Sequence, residues 1–257
     1  MQSILELFKL NGKTALIMGG NRGLGLEMCK ALAEAGANVS IASRDEKTNK
    51  AAEEILRSNY AGSFLRICCD VTSEVSVQHA VEQTVSKFGK IDILINSAGI
   101  NIRGKIEELS LDDFNKVQQV NVTGSWLACR AVVPIMKKNG WGRIINIGSM
   151  LSLIGMTDRT PYATSKGAII QLTRTLAIEL AKDGINVNAI LPGPFATEIN
   201  LPIRNDPEKY EAFLSSIPIG RWAELHEIGG IVLYLASEAS SYTTGSCMSV
   251  DGGWIAQ

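Results

Sequence analysis

Seven short, largely aliphatic runs recur along the chain: TALIM at 14 to 18, NVSIA at 38 to 42, FLRICC at 64 to 69, IDILIN at 91 to 96, RIINIG at 143 to 148, NVNAIL at 186 to 191 and CMSV at 247 to 250. Between them the apolar residues fall at i, i+3 and i+4. Leu24, Met28, Ala31, Leu32 and Ala35 do so before Gly36, and Val77, Ala80, Val81, Val85 and Phe88 before Gly89. That is the spacing of amphipathic helices that stop at glycine. Strands apolar nearly throughout need cover on both faces, and strands separated by helices pair in parallel through right-handed crossovers. The predicted architecture is therefore α/β: a doubly wound, seven-stranded parallel sheet with helices on both faces.

Composition narrows the partners. A formal net charge of −1 over 257 residues, with no run of five like charges, supplies no basic footprint for nucleic acid. No uncharged apolar run reaches the roughly 20 residues of a membrane span. The start, MQSILELFKLNGK, has charges at Glu6 and Lys9 and no basic region ahead of its apolar stretch, so it does not read as a signal peptide. A soluble, cytoplasmic protein is expected. The five cysteines contain no C-x-x-C and the two histidines, His79 and His226, stand alone, so buried thiols and no metal site are expected. Residues 192 to 222 hold five of the seven prolines and interrupt the alternation. We read them as a substrate loop or lid within a single domain spanning 1 to 257.

Chemistry enters directly after the first strand, where Gly19, Gly20, Asn21, Arg22, Gly23, Leu24 and Gly25 open a helix. Glycines there permit a tight turn and close approach of backbone N–H groups to a pyrophosphate at the helix N-terminus. Further along, Tyr162 and Lys166 stand at i and i+4, one turn apart on one helix face. A phenol is a poor general acid or base near neutrality, but a neighbouring ammonium favours the phenolate. Tyr162 could then exchange a proton with a substrate hydroxyl or carbonyl. Ser149, at the end of a strand, could hydrogen-bond the same oxygen.

Taken with Asn96-Ser97-Ala98-Gly99, Asn121 in V-N-V-T-G, Y-A-T-S-K at 162 to 166 and Pro192-Gly193-Pro194 with Thr197, these residues make the chain resemble the short-chain dehydrogenase/reductase family over essentially its whole length. The resemblance implies a Rossmann fold and a catalytic set of Asn121, Ser149, Tyr162 and Lys166. It implies a nicotinamide dinucleotide held by Gly19, Asn21, Arg22, Gly23, Leu24, Gly25, Ser43, Arg44, Asp70, Val71, Asn96, Ala98, Gly99, Tyr162, Lys166, Pro192, Gly193 and Thr197. In the family's pattern Lys166 holds the nicotinamide ribose, Asn121 anchors a water, Asp70 accepts from the adenine amine and Thr197 meets the carboxamide. The second strand ends in Ser43-Arg44 where an NAD-specific site carries an acid, so NADP(H) is expected over NAD(H), with Arg22 as a second cation.

One residue departs from the pattern. Met18 stands where the family usually has a threonine that ties the glycine turn, which puts that tie in doubt. The resemblance also implies a homotetramer and a small hydroxy or keto substrate such as a sugar acid or polyol. A 3-oxoacyl-[acyl-carrier-protein] reductase is the alternative. A catalytically silent nucleotide-binding protein is the second class, and the intact Ser149, Tyr162, Lys166 and Asn121 argue against it. Arg103, Arg159 and Arg204 lie in the segments expected around the substrate, each by itself a surface charge or a contact for a carboxylate or phosphate.

Overall fold

The computed structural model describes residues 3 to 197 and 205 to 257. All seven apolar runs form strands: β1 Thr14–Met18, β2 Asn38–Ser43, β3 Phe64–Cys68, β4 Ile93–Asn96, β5 Gly142–Ile147, β6 Ile185–Pro192 and β7 Cys247–Val250. They make one parallel sheet in the order β3-β2-β1-β4-β5-β6-β7. The chain winds outward from β1 to β3, returns to the centre, and winds outward again from β4 to β7. Connections at the C-terminal ends of β1 and β4 therefore leave in opposite directions, which opens the crevice where ligands bind in such sheets.

Alternation along the strands sorts the core into two layers. Ala15, Ile17, Val39, Ile41, Ile93, Ile95 and Ile145 pack with α1 (Gly23–Glu34), α2 (Glu46–Asn59) and α8 (Gly229–Ala236). Leu16, Met18, Leu94, Ile144 and Val187 face α3 (Glu74–Phe88), α5 (Gly124–Asn139) and α6 (Thr160–Leu180) on the other side. α4 (Leu111–Gln118) runs into α5 through a π-helical turn at Gln119–Thr123, which carries Asn121. Among the described residues no helix is long and apolar enough to cross a membrane, and no cluster of His, Cys, Asp and Glu is placed to hold a metal ion.

Several helix starts are capped by side chains. Asp45 caps α2 by accepting from the Thr48 N–H, Ser73 caps α3 by accepting from the Ser76 N–H, and Ser110 with Asp113 forms a capping box on α4. α1 has no side-chain cap at Arg22. Its first-turn N–H groups, which are orphaned in any helix, are thus available to an anion.

The proline-rich stretch builds a satellite core. After β6, Phe195 bridges to Ala223, and α7 (Pro207–Leu214) sets Phe213 against Trp222 at 5.1 Å and Trp254 at 4.5 Å between ring centroids. Residues 198 to 204, Arg204 among them, lie outside the described residues. Of the five cysteines, Cys29, Cys69 and Cys129 are buried as expected, Cys247 is partly buried, and Cys68, at the end of the edge strand β3, is exposed.

Candidate active site

A cavity of about 1110 Å³ lies across the C-terminal ends of β1, β4, β5 and β6. Its floor is the glycine turn. Gly19 adopts φ +85° and donates its N–H to the Ala42 carbonyl at 2.7 Å. A Cβ on Gly19 would sit 2.7 Å from the Ala98 nitrogen, and one on Gly25 would sit 2.0 Å from the Gly19 carbonyl oxygen. The turn is pressed onto the end of β4 and α1 is pressed onto the turn, so no side chain can come between them. These close approaches leave an open backbone cradle beside an uncapped helix, which fits the pyrophosphate of a dinucleotide. Met18 supplies no hydroxyl here and is fully buried. The turn is tied instead by Gly19 N–H to Ala42, Ser97 N–H to the Met18 carbonyl at 2.9 Å, and the Cys29 thiol donating to the Gly20 carbonyl at 3.5 Å. Asn21 strings the turn to α2 by donating to Thr48 Oγ1 at 2.6 Å.

At the adenosine end Ser43, Arg44, Arg22, Asp70 and Val71 all line the cavity. The Ser43 hydroxyl donates to Asn49 Oδ1 at 2.6 Å, while Asn49 Nδ2 donates to the Ser43 and Ile67 carbonyls at 2.9 and 3.0 Å. With both amide protons spent on carbonyls, the Asn49 oxygen must accept, and the Ser43 proton is committed to it. Ser43 is thus tied to α2 through Asn49 at the cavity wall. Arg44 and Arg22 lie at the same end of the cavity. Backbone and side-chain hydrogen bonds from Thr48, with Arg22 nearby, hold the Asp45 carboxyl below its ordinary pKa, so an anion sits beside these cations. Asp70 is likewise held low, its Oδ1 accepting from the Thr72 N–H at 2.9 Å and hydroxyl at 2.8 Å.

The other end of the cavity collects Ser149, Tyr162 and Lys166. α6 begins with Pro161 in its first turn and turns Ser165, Lys166, Ile169 and Thr173 inward, so Tyr162 lies above Lys166 on the face that meets β5. Lys166 Nζ donates to the Ile147 carbonyl at 2.7 Å, and burial pulls its pKa down to about 8. Burial pushes the Tyr162 phenol up; a hydrogen bond from Ser149 and the guanidiniums of Arg103 and Arg159 pull it back down. Burial prevails, so the phenol stays above its ordinary value with these two arginines opposing the rise. The expected Lys166 ammonium is 5.5 Å from the ring centroid and is itself held toward neutrality.

Asn121 is braced on three sides. Its Oδ1 accepts from the Ile100 N–H at 2.9 Å, and its Nδ2 donates to the Ile100 carbonyl at 3.0 Å and Ser165 Oγ at 2.9 Å. A Cβ on Gly99 would lie 3.4 Å from Asn121 Oδ1 and 3.7 Å from Lys166 Nζ, so the loop after β4, the π-helical turn and α6 converge at Gly99. Pro192, Gly193 and Thr197 complete the wall. Gly193 has to be glycine, because a Cβ there would sit 2.5 Å from the Asp251 Cα.

Of the residues expected to contact a cofactor, Asn96 is not brought to the cavity. It is 4% exposed and donates to Asn146 Oδ1 at 2.8 Å, inside the sheet. Asn146 in turn donates to Thr173 at 2.9 Å, so Asn96 belongs to a polar ladder linking β4, β5 and α6. Sequence reasoning missed Thr48 and Asn49, which set the geometry of Asn21 and Ser43. The signal was present in Asp45-x-x-Thr48, the spacing of an N-cap with its third residue.

The family model described as enoyl-(acyl carrier protein) reductase matches residues 19–255. A 2-dehydro-3-deoxy-D-gluconate 5-dehydrogenase of Dickeya dadantii is 39% identical over 258 residues, covering 99% of this chain and 100% of the relative. A rhamnolipids biosynthesis 3-oxoacyl-[acyl-carrier-protein] reductase of Pseudomonas aeruginosa is 35% identical over 252 residues, covering 96% and 98%. Among solved structures, a gluconate 5-dehydrogenase from Burkholderia cenocepacia in complex with NADP and tartrate superposes with a TM-score of 0.94 at 34% identity, covering 99% of this chain and 100% of that one.

Proposed function

Because the chain belongs to the short-chain dehydrogenase/reductase family, we propose that it is an NADP(H)-dependent oxidoreductase interconverting a secondary alcohol and a ketone, with Tyr162 as general acid and base. Its substrate in this reading is a small hydroxy or keto compound of the sugar-acid or polyol kind. The observation that carries the proposal is the meeting, in one cavity, of the uncapped glycine turn with Ser149, Tyr162 and buried Lys166. The names of the Dickeya and Burkholderia relatives support the substrate class.

A nicotinamide held in this cavity would supply or accept the hydride at the substrate carbon. In reduction Tyr162 gives its phenolic proton to the substrate oxygen; in oxidation it takes the proton back. Ser149 hydrogen-bonds the same oxygen and orients it toward Tyr162. Lys166, fixed by the Ile147 carbonyl, contacts the nicotinamide ribose, and Asn121 holds the loop at Gly99 against it. Gly23, Leu24 and Gly25 hold the pyrophosphate, Asp70 and Val71 the adenine, and Pro192, Gly193 and Thr197 the nicotinamide.

NADP(H) is favoured over NAD(H) in this reading through Arg44 and Arg22. The protein acts in the cytoplasm as a homotetramer. Most of the apolar residues of α5 and α6 are used by the monomer, but Trp126 stays 47% exposed on α5 and Ile178 82% on α6, available to a partner subunit. The described parts of the 192 to 222 stretch reach the cavity through Thr197 and Phe213 and border the substrate end. A 3-oxoacyl reductase is the second reading, favoured by the Pseudomonas relative and the apolar Met150, Leu151, Met156 and Phe213 in the wall.

The test is a panel of sugar acids, polyols and 3-oxoacyl thioesters, assayed with each cofactor through the absorbance of the reduced nicotinamide. We expect turnover of hydroxy compounds with kcat/KM higher for NADP than for NAD, and Arg44→Ala to lower that ratio about 10- to 100-fold, the worth of a charge-assisted contact. Preference for NAD, or a ratio indifferent to Arg44, overturns the cofactor assignment; no turnover across the panel overturns the reaction.

A further inference from the structure

Two arginines share the cavity with Tyr162 and oppose the rise of its pKa, and neither has yet been given a contact with substrate. Arg103 comes from the loop after β4 and Arg159 from the residue just before α6. Both are half-buried, and both sit close enough to act on Tyr162 and on each other.

Their meeting is built into the backbone. Asp158 is the one non-glycine residue with positive φ among the described residues, at +59°. A left-handed aspartate costs of order 1 kcal/mol and persists only where its surroundings hold it. Here the Asp158 carbonyl accepts twice, from the Gly104 N–H at 3.3 Å and from Arg159 Nη1 at 2.9 Å. The strained turn therefore pins the neighbour of Arg103 to the turn that launches Arg159, and fixes both arginines at one end of the pocket. Two guanidiniums on the wall of one cavity offer several N–H donors that a bound anion can accept from. The Asp158 carboxylate acts on Arg159, and the Tyr162 phenol acts on both guanidiniums.

We propose that Arg103 and Arg159 form a carboxylate-binding subsite, so that the substrate is a hydroxy or keto acid whose carboxylate is anchored by these two guanidiniums while its reacting oxygen lies at Tyr162 and Ser149. Planar guanidinium forks suit a planar carboxylate and fix its orientation as well as its charge. The inference rests on the proposed reaction and narrows its substrate to the anionic class; neutral polyols lack the group the two arginines hold.

The test measures binding as well as turnover. D-Gluconate, glucitol (in which a CH2OH replaces the carboxylate) and glucitol 6-phosphate are titrated by calorimetry into the NADP-saturated wild type, Arg103→Gln and Arg159→Gln, and the same compounds are assayed for turnover. We expect gluconate to bind the wild type at least tenfold more tightly than glucitol. Each substitution should weaken gluconate about tenfold or more, largely as a rise in KM, and leave glucitol and NADP binding unchanged. Equal affinity for gluconate and glucitol, equal losses for both in the variants, tighter binding of the phosphate ester, or no binding of any carboxylate overturns the subsite. Arginine-dependent gluconate binding without turnover leaves the subsite standing and removes the proposed reaction. Turnover indifferent to substrate charge does the reverse.

Discussion

Replacing Asn121 with alanine isolates the brace that holds the catalytic end of the cavity together. The side chain is 1% exposed, and its carboxamide makes three hydrogen bonds, two to the Ile100 backbone and one to Ser165. Asn121→Ala leaves the Ile100 N–H and carbonyl without that partner in a part-buried loop. At about 1 kcal/mol for each lost bond, the expected loss of stability is about 3 kcal/mol. For a chain of this size, about 2 to 4 °C per kcal/mol converts that to a melting temperature lower by about 6 to 12 °C. Because Ile100 adjoins Gly99, which lies against Lys166, the loop should shift as well, and kcat/KM should fall about 10- to 100-fold. Differential scanning calorimetry and steady-state kinetics on the same preparation read both effects. A melting temperature within 1 °C of wild type, or a large destabilisation with unaltered kcat/KM, refutes the brace.

Gly25→Ala places a Cβ 2.0 Å from the Gly19 carbonyl oxygen, so α1 must move off the turn; NADP affinity measured by fluorescence titration should drop at least about tenfold, and unchanged affinity would show the cradle to be softer than described. Lys166 titrates at about 8 in the folded protein against 10.5 ordinarily, so below pH 8 both states are charged and the native state carries the full burial penalty, about 3 kcal/mol. Between pH 8 and 10.5 the unfolded chain binds the extra proton, native stability rises with pH, and above 10.5 the penalty is gone. Denaturant unfolding of wild type and Lys166→Met should therefore show a stability difference that shifts in favour of wild type across that window. A difference independent of pH contradicts the buried, depressed lysine.

The sheet was legible because parallel strands buried on both faces must be apolar throughout, and each of the seven runs forms its strand. The glycine turn and the Tyr162, Lys166 pair were legible because their chemistry depends on spacing along the chain. What spacing does not carry is contact through space. Asn96 follows Leu94 by two positions, so strand alternation turns it toward the α5 layer and away from the ligand; its parity along β4 was the available signal. Ser43 is tied to α2 through Asn49, six residues further on, and nothing local to Ser43 announces that. Arg103 and Arg159 are 56 positions apart and each alone resembles a surface charge. The Asp158 turn, whose carbonyl accepts from the Gly104 N–H, joins their two segments at the wall of the cavity that Tyr162 also lines.

The central claim, that Tyr162 moves the proton while the rest of the cavity holds the dinucleotide, is tested most directly by Tyr162→Phe. Removing one hydroxyl leaves the ring, the glycine turn and the arginines in place. NADPH should bind within about threefold of wild type while turnover of the best substrate drops by about 10² to 10⁴, the worth of a positioned acid and base. Turnover retained within a few-fold of wild type would contradict the account.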